Sequence, residues 1–154
     1  MRELTEHEQG ERARRRAGID SFLAQRMPVL SDFAQRLELR DPPMIVANPD
    51  RFLPSIDAYM KDQIVTPEDR VWILTRLGYL IGEVLVRRLS GSWFLNEIPD
   101  SRYFLRYVVG RFAGAPNPAA MVDPFQVADV YLSRPPGRSL SAIVSQVEDE
   151  LRRS

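Results

Sequence analysis

The segment TPEDRVWILTRLGYLIGEVLVRRLSG (Thr66–Gly91) carries a helix start, a helix stop and an apolar face between them. Thr66 is placed to cap, Pro67 has the φ of a first helical residue, and Glu68 and Asp69 sit at the positive end of the helix dipole. Val71, Leu74, Leu77, Ile81, Val84, Leu85 and Leu89 recur at helical spacing. Arg87 and Arg88 complement the negative end, and Ser90-Gly91 supplies the stop. Gly78 and Gly82 lie four residues apart on one side. Each costs about 1 kcal/mol against alanine in a helix interior, so the pair predicts that another backbone approaches this face. We expect a long central helix against which the rest of the chain packs.

Upstream, Thr5 and Glu8 have the spacing of a capping box, while Gly10 and Gly18 weaken the helix they would start. The opening residues, 1–17, are therefore expected to fray. Ile19, Phe22, Leu23, Met27, Leu30, Phe33, Ala34 and Leu37 share one helical face. Pro28 falls inside that run and predicts a kinked helix or two abutted ones. Arg40-Asp41-Pro42-Pro43 ends it, Met44–Val46 reads as an extended connector, Asn48-Pro49-Asp50 as a turn, and Pro54-Ser55 as the start of a short helix.

Downstream, Trp93–Ile98 and Arg102–Phe112 read as two strands of a hairpin around Pro99-Asp100-Ser101, and Ala119–Val122 as a third strand. Asp123-Pro124 opens a helix with Phe125, Ala128, Tyr131 and Leu132 inward. Arg134–Gly137 breaks the chain, and Ser139 caps a last helix carrying Leu140, Ile143, Val144, Val147 and Leu151. Its acidic Glu148-Asp149-Glu150 stands at the wrong end for the dipole, partly offset by Arg152 and Arg153. The expected fold is one α+β domain over residues 1–154: a small antiparallel sheet of two or three strands on the long central helix, with the other helices around it.

Composition removes several chemistries. The chain has 154 residues, no cysteine, a single histidine (His7) and balanced charge. Disulfides, thiolate zinc sites and cysteine nucleophiles are excluded, as is a zinc site of two or three histidines. Zero net charge disfavours nucleic acid as a partner. Arg12, Arg14, Arg15 and Arg16 follow Glu3, Glu6, Glu8 and Glu11 closely and read as a self-neutralising surface. Neither GxxxxGK[ST] nor GxGxxG occurs. The longest apolar run, Val71–Val86, contains Arg76 and Glu83 and is too short and too charged to span a bilayer. The N-terminus has no secretory signal pattern, so a cytoplasmic protein without membrane partner, metal or cofactor is expected. Oligomeric state is not legible.

LGYLIGEVL at Leu77–Leu85, then Trp93, paired strands and Asp123-Pro124-Phe125 opening a helix, resembles a loose group of small bacterial α+β domains. They share an LG…LGE helix, a following tryptophan strand and a DPF step. The resemblance covers the second half of the chain and makes Gly78, Gly82, Glu83, Trp93, Asp123, Pro124 and Phe125 the motif positions. The group has no assigned activity; some of its members are of accessory or immunity type and bind another protein. The resemblance implies the α+β fold, a bacterial source and a binding role.

Four candidate chemistries follow from the residues. Glu83, in the most apolar helix, would have a raised pKa if desolvated and would serve as acid or base in a pocket beside Gly78 and Gly82. The plainer reading, which we favour, pairs it with Arg87 one turn on. Asp123 reads better as a helix cap than as a ligand or base. Glu97 and Asp100 flank the hairpin turn and read as solvated rather than as a hydrolytic pair. Trp93, Phe94, Tyr103, Phe104 and Tyr107, interleaved with Arg102, Arg106 and Arg111, place rings and guanidiniums on the hairpin. That composition marks protein interfaces, unless a helix covers the outer face. Trp93, Arg102, Tyr107 and Arg111 are the predicted binding residues. The sequence thus favours a non-catalytic protein-binding module of accessory or immunity type; the alternative is a small-ligand binder or enzyme built on Glu83.

Overall fold

A computed structural model describes residues 2–154; Met1, within the segment expected to fray, lies outside them. The described residues form an α+β fold with six α-helices and a three-stranded antiparallel sheet. In order these are α1 (Glu6–Ala24), α2 (Arg26–Arg36), a 3-10 turn (Pro42–Ile45), α3 (Pro49–Met60), α4 (Pro67–Leu89), β1 (Ser92–Leu95), β2 (Tyr107–Gly110), β3 (Met121–Val122), α5 (Pro124–Leu132) and α6 (Leu140–Arg153). No helix is long and apolar enough to cross a membrane among the described residues.

The N-terminal segment forms a helix that runs through Gly10 and Gly18 from Glu6. The capping box explains the start: the Glu8 amide donates to Thr5 Oγ1 at 3.1 Å and the Thr5 amide to Glu8 Oε1 at 3.0 Å. Gly18 leaves room for Tyr107, whose hydroxyl would lie 2.8 Å from an added Cβ. α1 and α2 abut at Gln25; Pro28 sits in the first turn of α2, where its missing N–H breaks nothing. Met44 and Ile45 wind into the 3-10 turn instead of running extended. α3 starts at Pro49, five residues before the expected Pro54, because Pro49 already supplies the first helical φ.

α4 matches its predicted span, but Thr66 does not accept a capping bond; its hydroxyl donates to Asp69 Oδ2 at 3.2 Å. Leu77 through Leu85 are all buried, which makes this stretch the hub of the molecule. The first turns are bare: Val71, expected on the inner face, is 74% exposed.

The strands are shorter than expected. β2 is flanked by Leu105 and Arg111, both with positive φ, so the run Arg102–Phe112 cannot continue as one strand. Asn96, buried, shapes the turn instead: its Nδ2 donates to Ser101 Oγ at 2.9 Å and the Leu105 amide donates to its carbonyl at 2.7 Å. The register pairs Trp93 with Val109, Leu95 with Tyr107, and Val109 with Val122. These residues face the core, and Phe94, Val108 and Met121 face outward.

α5 lies along α4. Ser139 caps α6, accepting from the Ala142 amide at 3.1 Å, and Asp57 of α3 takes the Leu140 amide at 2.7 Å. Of the misplaced acids of α6, Glu148 is paired, with Arg152 of its own helix at 2.9 Å and with Arg88 of α4 at 3.2 Å.

Candidate functional site

The glycine pair of α4 receives rings, not the predicted backbone. A Cβ on Gly82 would lie 2.0 Å from Trp93 Cζ2, and one on Gly78 would lie 2.2 Å from Phe125 Cδ1. Phe22 of α1 closes the cluster, with ring centroids 5.0 Å from Tyr79, 5.2 Å from Trp93, 4.5 Å from Tyr107 and 5.8 Å from Phe125. Hydroxyl bonds lock it: Tyr79 Oη donates to the Phe22 carbonyl and Tyr107 Oη to the Arg15 carbonyl, each at 2.7 Å. Four of the seven motif positions, Gly78, Gly82, Trp93 and Phe125, thus meet in one packing unit.

Glu83, a further motif position, adjoins this unit and is 3% exposed. Its expected partner Arg87 is displaced by Arg26, whose Nη1 donates to Oε1 at 2.8 Å. Arg26 Nε also donates to the Leu23 carbonyl at 2.9 Å, so this side chain ties the α1–α2 elbow to the hub. Burial raises the Glu83 pKa, against the opposing pull of Arg26 and, more weakly, Trp93 and Arg87. Trp93 Nε1 is buried without a hydrogen bond of regular geometry, yet lies near enough for its N–H dipole to favour the carboxylate charge. Neither cleft described next has Glu83 in its wall.

Two open clefts flank Asp123. The first, about 320 Å³, runs between the hairpin turn and helices α5 and α6. Met121, Val127, Val130, Val147 and Leu151 give it an apolar floor, and Arg102, Arg134, Gln146 and Glu150 a polar rim. The second, about 370 Å³, has Phe22, Tyr107 and Phe125 beneath Arg15 and Arg106. Both cations there are already matched: Arg15 with Glu11 at 3.2 Å and Arg106 with Asp123 at 3.1 Å.

Asp123 holds the ridge between the clefts. Its Oδ1 accepts from the Phe125 amide at 2.9 Å and, more loosely, the Gln126 amide at 3.4 Å, which is the predicted cap of α5. Asp123→Ala is expected to lower stability by about 1–2 kcal/mol. Asp123→Asn keeps the cap, loses only the half-exposed ion pair and should cost less than about 1 kcal/mol. Urea denaturation of the two variants checks this; equal losses would mean that the cap is not what matters.

The four predicted binding residues separate. Trp93 is buried and leaves the surface, and Tyr107 is half covered by Phe22 and Arg15. Arg102 and Arg111 are exposed. Arg111 lies 4.0 Å above the Phe94 ring and Arg102 4.5 Å above Tyr103; neither has a carboxylate partner among the described residues. The hairpin thus carries two guanidiniums laid on rings, while Tyr103, Leu105 and Val108 are buried. Of the loop carboxylates, Glu97 pairs with Arg16 at 2.6 Å and Asp100 with Arg2 at 3.5 Å. No group of three or more His, Asp or Glu side chains is placed to hold a metal ion among the described residues.

Sequence reasoning passed over Trp72. It is 36% exposed at the bare end of α4, with Arg76 4.0 Å over its ring and Phe33 edge-on at 5.8 Å. The signal was present in its position, one residue off the apolar stripe and eight ahead of Leu80.

Comparison with known family models, curated proteins and solved structures finds no match to this chain.

Proposed function

We propose that this chain is a non-catalytic binding module of the bacterial cytoplasm, of accessory or immunity type, whose partner is another protein with acidic and apolar side chains at its contact surface. The observation that carries the reading is the pair of unmatched guanidiniums, Arg102 and Arg111, lying on the rings of Tyr103 and Phe94, with Arg102 at the rim of a cleft that has an apolar floor. A guanidinium pre-ordered on a ring loses little freedom on binding a carboxylate, and arginine is among the side chains that dominate interface energies. Arg134, at the α5 side of the same cleft, joins Arg102 as a second cation there, against Glu150 and an Asp123 already paired with Arg106. The apolar floor would take the partner's hydrophobic anchor.

Arg102→Glu with Arg111→Glu should weaken capture of the partner from native lysate at least tenfold, about 1.4 kcal/mol. The unfolding midpoint should fall only modestly, since both side chains are exposed, have no ion pair to lose, and each gives up a ring contact worth about 0.5–1 kcal/mol. Retention unchanged by the double reversal would overturn the reading. The alternative built on Glu83 has no comparable support, because that carboxylate is enclosed and ion-paired.

A further inference from the structure

One stripe of α4 is covered along half its length and bare along the other. Residues at four-residue spacing from Glu68 through Trp72 and Arg76, with Val71 and Thr75 beside them, lie on one face. Further along the same face, Tyr79 and Glu83 are closed over by the α1–α2 elbow through the Phe22 carbonyl and Arg26. Toward the N-terminus that cover ends. Val71 is 74% exposed, Ile64, just ahead of the helix, 84%, and Trp72 36%, with Phe33 and Arg36 of α2 beside its ring.

The charges along the bare stripe are unmatched and ordered. Arg76 has no carboxylate partner among the described residues; its Nη1 donates only to the Trp72 carbonyl at 3.1 Å and its Nε is buried without a partner. Burial lowers its pKa, Asp32 raises it and the Arg36 charge lowers it again, so the site would gain from an added anion. Glu68, exposed in the first turn, has no ion pair among the described residues, whereas neighbouring Arg70 is committed to Asp129 at 2.7 Å. The order is acid, tryptophan, base, at steps of about 6 Å along the axis.

That order is self-complementary under a two-fold rotation. Two copies of the segment crossing antiparallel at Trp72 would set Glu68 of each against Arg76 of the other, with Val71 and Trp72 of both at the centre. A two-fold interface needs this property, because one patch must meet itself. We propose that the N-terminal half of α4 is a homodimerisation surface, centred on Trp72 and Val71 and registered by Glu68–Arg76 pairs between copies. It shares no residue with the cleft of the proposed function and stands independently of that reading.

Sedimentation equilibrium between about 5 and about 500 µM covers the affinity expected of a small interface. The wild type should associate to a dimer in that range. Arg76→Glu and Glu68→Arg should each weaken self-association at least tenfold, by setting like charges face to face. An equimolar mixture of the two variants should form a heterodimer tighter than either homodimer, read by native mass spectrometry of one isotope-labelled copy. Val71→Asp, at a site too exposed to affect folding, should also abolish the dimer. A wild type that stays monomeric throughout, or a mixture no tighter than its components, would overturn the proposal.

Discussion

Arg26→Ala is expected to cost about 3 kcal/mol of stability at pH 7 and far less near pH 4. The loss comes from what stays behind: the Glu83 carboxylate, 3% exposed, would keep its burial and lose the guanidinium 2.8 Å away. Breaking a buried pair by removing one partner costs about 3–5 kcal/mol, and the partial exposure of Arg26 places this one at the lower end. Burial already lifts the native Glu83 pKa above its ordinary 4.5, and loss of Arg26 lifts it further. A native state that holds the proton more tightly than the unfolded chain loses stability as pH rises from about 4.5 through the native value. Below that window the acid is neutral in both states and the penalty fades. Urea unfolding of wild type and variant at several pH values measures the difference. Adding Glu83→Gln to Arg26→Ala should recover most of the loss at pH 7. A penalty independent of pH, or one the glutamine does not relieve, would show that elbow packing rather than charge is at stake.

The second large effect is one of opposite sign to helix propensity. Gly82→Ala improves the intrinsic helix preference by about 1 kcal/mol. The new methyl would stand 2.0 Å from Trp93 Cζ2, and that ring is confined by Phe22, Tyr79 and Phe125. Overpacking of a closed core costs about 1–3 kcal/mol, occasionally more, so a net loss of about 2 kcal/mol is expected. The denaturation midpoint should fall with an unchanged m-value. Gly10→Ala is the control: its Cβ would meet nothing nearer than 3.8 Å, and the same propensity gain should there appear as added stability. A stabilised Gly82→Ala would mean that the tryptophan can move aside, and the glycine pair would then have lost its explanation.

The glycine pair shows how far sequence reading reached. Two costly residues at one helical spacing announced a close approach, and the structure contains one. A helical wheel identifies a notch but not its occupant, so a neighbouring backbone was expected where Trp93 and Phe125 lie. Glu83 is parallel: its place between Gly82 and Val84 in the most apolar helix was legible, but its burial was not, and its partner Arg26 is 57 residues away. The local partner expected, Arg87, is exposed and makes no ion pair with Glu83. The binding residues divided for the same reason. Alternation along β1 sends Trp93 and Phe94 to opposite sides, but which side meets α4 is a property of the assembled sheet.

Cap residues, proline positions and apolar periodicity were enough to place α4, α5, α6 and the three strands, and to class the fold as α+β. These signals act over about one turn of chain, through backbone hydrogen bonds and φ preferences that each residue carries wherever it sits. Three features came only from the packed chain: the rings that fill the notches of α4, the ion pair that clamps the α1–α2 elbow, and the stretch of α4 left uncovered at Val71 and Trp72. Each depends on segments far apart in sequence reaching one place together. The free energy of such a contact belongs to the pair and its surroundings, and no single segment encodes it.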